Sequence, residues 1–548
     1  MAQININNNI IEFNERITYY DLIKRHNLGG EKMPFLLKSN GVVKEIRRHA
    51  KDGENIEFLY YDNEVVKNAY MRTATFMLLK VMRDIFGSDA KAGLKFRIKN
   101  AYYFEIDGKD ITGRDIEHIK EKFAELSNQA IVIKKETFTK KEALDIIDKE
   151  EIEDVKLLFT YSYRPKVNLR FIGDYARYIN GEVLYDTSFV KYVEFVQYYK
   201  GVFLVVSDTD DEKDVVVREI GEKTFSTLNT STDWAKKLNI NTIGKLNREI
   251  ARNHFDDLVV MTESYQDKQI GDIAEAVKAS GKRIVFIAGP SSSGKTSFSH
   301  RLMYHLHALD VIPHPIASDN FFKERKDTPK DEKGEYDFES IDAVDIELLN
   351  KTIADLLDGK EVQMPTFNFQ VGIKEFHGNT LQIKDNEIII LEGIHCLNPK
   401  LIPMFDPEDV FKIYISALTE VSIDNANRIA TSDLRLIRRI VRDVRTRGVS
   451  AKDTMKRWPS VRRGEEIAIF PFQENADIYF NSALIYEFSV LKNKVLAYLF
   501  DLSEDEEVGG VARRLIKILN YFLGAGVDAI PRHSIIREFI GQSIMNVG

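Results

Sequence analysis

Gly289-Pro290-Ser291-Ser292-Ser293-Gly294-Lys295-Thr296 fits the spacing G-x-x-x-x-G-K-[ST], with Ser297 directly after it. Residues of these types at this spacing bind phosphate. Gly289 and Gly294 permit dihedrals and close approaches that a Cβ would block. The amides of the loop and of the following helix converge on phosphate oxygens. Lys295 reaches the β- and γ-phosphates, and the Thr296 hydroxyl ligates Mg²⁺. The expected ligand is ATP with Mg²⁺, cradled by Gly289 through Ser297. A chance Gly/Ser-rich turn is the plain alternative, and it leaves the strand before the loop and the helix after it unexplained. The motif alone does not choose among motors, GTPases and kinases.

Three further features bear on that choice. Asp319 lies in Ser318-Asp319-Asn320-Phe321-Phe322, at the end of the strand after the loop's helix. In an open α/β sheet the carboxyl ends of strands line the ligand crevice, where a carboxylate can accept the proton of an attacking hydroxyl. An Asx-turn or helix cap is the plain alternative. Glu392 closes the apolar strand Glu387–Leu391, placed to bind Mg²⁺ through water or merely to cap. Arg435, Arg438, Arg439 and Arg442 fall at i, i+3, i+4 and i+7 of a predicted helix over 433–443 and share one face. Leu436, Ile437, Ile440, Val441 and Val444 take the opposite face. Along this helix only Asp443 can pair with Arg439 at i+4, so most of the charge lacks a local partner. The planar arginine fork suits a phosphoryl group; a solvated or nucleic-acid-facing helix is the competing reading.

The elements that must carry these residues follow from hydrophobic spacing. Ile284–Ala288 is a short continuous apolar run before Gly289, as a buried parallel strand requires. A helix over 295–309 and strands at His314–Ser318, Glu387–Leu391, Val410–Ile415 and Ala476–Asn481 follow, with helical patterns between them. Such alternation specifies a parallel sheet covered on both faces. Earlier in the chain, short β-like runs (Gln3–Ile6, Ile10–Phe13, Phe35–Leu37, Ile56–Tyr61) and a helical patch near Thr18–Arg25 suit a small β-grasp module. A helix over Val65–Phe86, a strand-like stretch Lys95–Ile106, and helices near Gly113–Leu126 and Thr139–Asp148 follow. Lys156 to Val206 reads as sheet, the acidic run Asp208–Asp214 as a linker, and 233–280 as two or three bridging helices.

The chain has 548 residues and a formal net charge of −8. That length is too great for one core, and that charge argues against a broad footprint for nucleic acid or an anionic membrane. One cysteine, Cys396, rules out an intramolecular disulfide and suits a reducing cytosol. No basic n-region with an apolar run opens the sequence, and no stretch reaches eighteen uninterrupted apolar residues. The expected location is cytoplasmic.

Together the loop, Asp319-Asn320-Phe321-Phe322, Tyr336-Asp337-Phe338-Glu339-Ser340, Pro365-Thr366-Phe367-Asn368-Phe369, Leu391-Glu392-Gly393 and the arginine helix resemble the uridine kinase branch of the uridine kinase/phosphoribulokinase family. The resemblance covers roughly 281–500. It implies that Asp319 is the general base, that Asp337 holds the nucleoside sugar, and that the arginine helix is a lid over the phosphates that excludes water. Phe367 and Phe369 would stack the base. The family's Tyr and base-reading His fall at Phe367 and Gly372, so base recognition is expected to be relaxed. Roughly residues 1–207 resemble the N-terminal region of threonyl-tRNA synthetases, through the 65–86 helix, Asn100–Ile106 and the helix leading into Val132-Ile133-Lys134-Lys135. Arg72 and Phe76 stand where the editing domain has its His-x-x-x-His.

The expected architecture is multidomain: an N-terminal α+β portion and a C-terminal α/β P-loop kinase with a parallel sheet. Its parts are a TGS-like β-grasp domain (1–62), an editing-like domain (63–207), linker and bridging helices (208–280), the kinase (281–500) and a helical extension (501–548). The expected activity is ATP-dependent phosphorylation of a nucleoside 5′-hydroxyl. An RNA- or ribosome-associated regulatory NTPase, or a kinase of a sugar phosphate or similar alcohol, is the competing class. RNA binding by the N-terminal half and homo-oligomerisation are left open.

Overall fold

The computed structural model describes residues 2–6, 9–13, 16–30, 32–150, 152–330, 334, 336–368, 371–545 and 547. The chain forms two compact units. The first comprises Met1–Ile220, Thr242–Lys245 and Ser422–Arg428; the second comprises Gly221–Asn241, Leu246–Val421 and Ile429–Gly548.

In the first unit, a five-stranded sheet runs in the order Asn9–Phe13, Ala2–Ile6, Glu54–Leu59, Leu36–Ser39, Val42–Lys44. Ala2–Ile6 and Glu54–Leu59 pair in parallel and the other neighbours antiparallel. Helix Tyr19–His26, capped by the Thr18 hydroxyl, buries Leu22 and Ile23 among Ile4, Ile6, Leu37 and Ile56. A four-stranded antiparallel sheet (Glu194–Tyr198, Gly201–Val205, Ala101–Ile106, Ala92–Ile98) packs on helices Glu64–Phe86 and Gly113–Asn128. The expected strand Lys95–Ile106 is in fact a hairpin, turning where Lys99 takes φ 52°. The expected sheet from Lys156 onward begins instead as helix Glu153–Thr160, because Val155, Leu158 and Phe159 recur at helical spacing and all are buried.

The second unit is built on a five-stranded, wholly parallel sheet: β1 Ile284–Ala288, β2 Ile312–Ala317, β3 Glu387–Glu392, β4 Val410–Ser416 and β5 Ile478–Asn481, in the order β2-β3-β1-β4-β5. The continuous apolar character of β1 has a physical cause. Ile284, Phe286 and Ala288 face one core, with Leu349, Ile353 and Leu356 of helix α3 (Ile346–Leu357). Val285 and Ile287 face another, with Ile273 and Val277 of α1 (Phe255–Ser280) and Phe298 and Leu302 of α2 (Lys295–Ala308). Neither face meets water, so alternation disappears. Helices α4 (Thr431–Arg442), α5 (Ala451–Ala468) and α6 (Glu487–Asp501) complete the surroundings of the site.

Candidate active site

Sheet register brings the chemistry together. Ile287 of β1 and Ala317 of β2 both pair with Glu392 of β3. The phosphate loop after β1, Asp319 after β2, and Glu392 at the end of β3 therefore open at the carboxyl end of the sheet.

The loop leaves β1 at Gly289, where a Cβ would run into the Ile415 carbonyl of β4. Gly294, the N-cap of α2, takes φ 86°, a conformation open to glycine. Lys295 Nζ donates to the Gly289 carbonyl at 3.0 Å and lies 3.5 Å from that of Pro290. Ser292 and Ser293 are buried, and their hydroxyls have no partner among the described residues. Thr296 Oγ1 donates to Glu392 Oε1 at 2.9 Å. Burial pushes the Glu392 carboxyl up to about 7, against the pull of Lys295 and of the Thr296 bond. A hydroxyl beside a carboxylate is a hard-oxygen donor pair that fits Mg²⁺, which keeps water and takes its other ligands from phosphate. Among the described residues no group of three or more His, Cys, Asp or Glu side chains could hold a metal without such help.

Asp319 sits in a 3₁₀ turn, Ser318–Phe321. Its residue surface is exposed, so a substrate can reach it. The surrounding protein still raises its pKa by desolvation, with Lys295 and Arg447 opposing. Asp337, the expected sugar ligand, spends Oδ1 on the Glu339 amide at 3.1 Å. Glu339 is the carboxylate whose field meets Asp319, Lys295 and Arg439, and burial lifts it to about 7. In the sequence Glu339 lies within Tyr336-Asp337-Phe338-Glu339-Ser340 with no spacing signal that assigns it a role. Phe367 is 4% exposed and packs edge-to-face on Phe322 at 5.7 Å, inside the core. The expected open stacking platform is therefore a packed ring there, and Phe369 lies outside the described residues. At Gly372, φ is 75° and the Arg325 side chain lies where a Cβ would project, Nε 2.7 Å away.

The arginine helix departs most from expectation. Arg435 and Arg438 are 2% and 0% exposed, which removes the solvated reading. Their partners come from other elements. Arg435 pairs with both oxygens of Glu465 on α5 and donates to the Ser291 carbonyl at 3.1 Å. Arg438 grips Glu487 of α6 at 2.7 and 3.1 Å and reaches the Ser292 carbonyl at 3.4 Å. Arg439 donates to Ser291 Oγ at 2.8 Å, and Arg442 bonds Asp443 at 3.0 Å. Two of the four arginines expected in a lid, Arg435 and Arg438, thus brace the carbonyls of the loop. No spacing rule could have named Glu465 and Glu487, since they lie 30 and 49 residues from their arginines.

Comparison with known proteins agrees with this geometry. Residues 284–485 match the phosphoribulokinase/uridine kinase family. Uridine kinases of Staphylococcus aureus strains JH9 and Newman are each 32% identical over 196 residues, covering 36% of this chain and 85% of the relative. A structure from Bacillus stearothermophilus, described as a possible uridine kinase, is 17% identical with TM-score 0.26, covering 39% of this chain and 98% of its own. Likeness at that identity, over nearly the whole of the Staphylococcus enzymes, means that the chain belongs to the phosphoribulokinase/uridine kinase family, with a P-loop kinase for an alcohol acceptor in its C-terminal region.

Proposed function

We propose that the chain transfers the γ-phosphate of ATP, as its Mg²⁺ complex, to the 5′-hydroxyl of a nucleoside. The observation that carries this reading is the sheet register that sets the phosphate loop with Lys295, the Asp319 turn and Glu392 at the carboxyl ends of adjacent strands. Asp319 takes the proton of the attacking hydroxyl. Lys295 leaves its carbonyl contacts for the β/γ-phosphates and offsets charge as it develops. Thr296 and Glu392 would hold Mg²⁺, which would supply charge neutralisation to the phosphates. Glu339 joins Asp337 in holding the acceptor's hydroxyls, since the Glu339 amide engages only Oδ1 of Asp337 and leaves its other oxygen as an acceptor. Base selectivity needs buried polar groups that the wrong ligand leaves unpaired. Phe367 offers none, and Gly372 has no side chain, so we propose a strict demand for ribose with tolerance for more than one base.

The remaining boundaries belong to the same proposal: TGS-like 1–62, editing-like 63–207, bridging 208–280, kinase 281–500 and extension 501–548, in a cytoplasmic protein. Among the described residues no helix is long and apolar enough to cross a membrane. In the editing-like portion, Arg72 and Phe76 carry no imidazole for hydrolysis; Arg72 donates to the Glu182 carbonyl and Phe76 is buried against Tyr175. The test is ATP consumption with uridine, cytidine, adenosine, inosine, guanosine and their 2′-deoxy forms. Loss of activity with every 2′-deoxy form, alongside turnover of several ribonucleosides, is expected. A preference for uridine and cytidine beyond about a hundredfold would overturn the relaxed-base reading. Activity only with a sugar phosphate would remove the nucleoside.

A further inference from the structure

Outside the family-matched residues, the segment around Pro531–Ile540 is packed into the second unit beside the phosphate loop. Ser534, Ile535, Ile536 and Phe539 are fully buried. Ile535 Cγ2 lies 2.6 Å from where a Cβ on Gly294 would sit. The Phe539 ring lies 5.0 Å from the Arg438 guanidinium. Arg445 donates Nη2 to the Glu538 carbonyl at 2.7 Å and Nε to the Phe539 carbonyl at 3.1 Å. This backbone is fixed.

Its one carboxylate aimed at the loop is Glu538. Ser297 Oγ donates to Glu538 Oε2 at 2.8 Å, and the Ser297 amide approaches the same oxygen at 3.4 Å. Ser297 is the third residue of α2, and the helix's own bonding begins one residue later, Phe298 N–H to the Gly294 carbonyl at 3.0 Å. The Ser297 amide is therefore one of the unbonded first-turn N–H groups that make a helix N-terminus an anion site. Glu538 is only 6% exposed. Its charge raises the pKa of Glu392, the proposed metal carboxylate, while Arg442 Nη1 stands 4.0 Å from its other oxygen.

We propose that Glu538 is a built-in competitor for the phosphate cradle, holding the Ser297 donors until ATP displaces it by side-chain rotation. This rests on the reading that the loop holds the phosphates of ATP. A carboxylate and a phosphate cannot share those donors. The competition sets the nucleotide concentration at which the site fills, because apparent affinity is reduced by the fraction of protein whose cradle is open.

The test is ATP affinity of the full chain by calorimetry, with Mg²⁺ and without acceptor. Glu538→Gln keeps the shape and loses the charge, so ATP should bind about tenfold more tightly, the worth of a hydrogen bond to a charged acceptor. Arg445→Ala loosens the backbone that aims Glu538 without touching Ser297, and it should tighten binding in the same direction. Unchanged or weaker ATP binding in a folded Glu538→Gln variant overturns the competitor and leaves the kinase standing. An absence of ATP binding in wild type and variants alike overturns the nucleotide reading, and this inference with it.

Discussion

Replacing Glu392 by Gln tests whether the acid at the end of β3 is a buried carboxyl awaiting a cation. Burial holds it at about 7, against an ordinary value of 4.5. Between those two values the folded protein keeps a proton that the unfolded chain releases. Stability from this group is therefore fully present below about pH 4.5, is lost as pH rises towards about 7, and is flat above. At about 1.4 kcal/mol for each tenfold change in proton activity, wild type should lose about 2.5 kcal/mol between pH 5 and pH 8 on this account. Glu392→Gln cannot titrate and should lack that slope. Other raised carboxyls, such as Glu339, persist in both proteins and cancel in the difference. Both tryptophans of the chain, Trp234 and Trp458, belong to the second unit. Their fluorescence in urea therefore reports the kinase-bearing unit without the other. Saturating Mg²⁺ with ATP should flatten the wild-type slope, since a bound cation favours the ionised form. A wild-type-minus-variant difference that is equal at both pH values would mean that Glu392 is ionised throughout, and the burial argument would fall.

Lys295→Ala should abolish phosphoryl transfer with the fold intact, removing a charge worth several kcal/mol at the transition state; near wild-type turnover would refute the loop assignment. Asp319→Asn should keep ATP affinity and lower turnover by about 10²–10⁴-fold, whereas a joint loss of both would make it a structural or metal residue. Arg438→Ala should destabilise the second unit by about 3–5 kcal/mol in the same fluorescence assay, since Glu487 is left buried without its cation. A stable Arg438→Ala protein with slowed transfer would restore the mobile-lid reading.

Local chemistry with a fixed spacing was readable from sequence, and partners brought by the fold were not. The phosphate loop, the β1 run and the strand-end acids announce themselves through short patterns, because one strand, one turn and one helix decide their geometry. Of the sheet expected over Lys156–Val206, strands Lys166–Ile172, Tyr175–Arg177, Glu194–Tyr198 and Gly201–Val205 form, and only the start is α-helical, where Val155, Leu158 and Phe159 recur at helical spacing. A motif gives residue types without directions, so the sequence assigned a role to Asp337 and none to Glu339; the turn in which Asp337 Oδ1 accepts the Glu339 amide is visible only in the fold. Glu538 carried no signal at all, being 241 residues from Ser297.

The arginine helix shows why composition and role part company. A loop that turns its amides towards phosphate turns its carbonyls the other way, into protein, where each needs a donor. The Ser291 carbonyl takes one from Arg435, the Ser292 carbonyl from Arg438, and the Ser293 carbonyl from the Ser482 hydroxyl. Arginine serves because its fork can satisfy a carbonyl and a carboxylate together. Glu465 in turn accepts the Ser291 amide at 3.1 Å, so one ion pair holds both backbone polar groups of a single residue, its N–H and its carbonyl. The charge of Arg435 and Arg438, which reads from sequence as aimed at a ligand, is thus used one layer behind it, fixing the dihedrals on which the ligand's amide cradle depends.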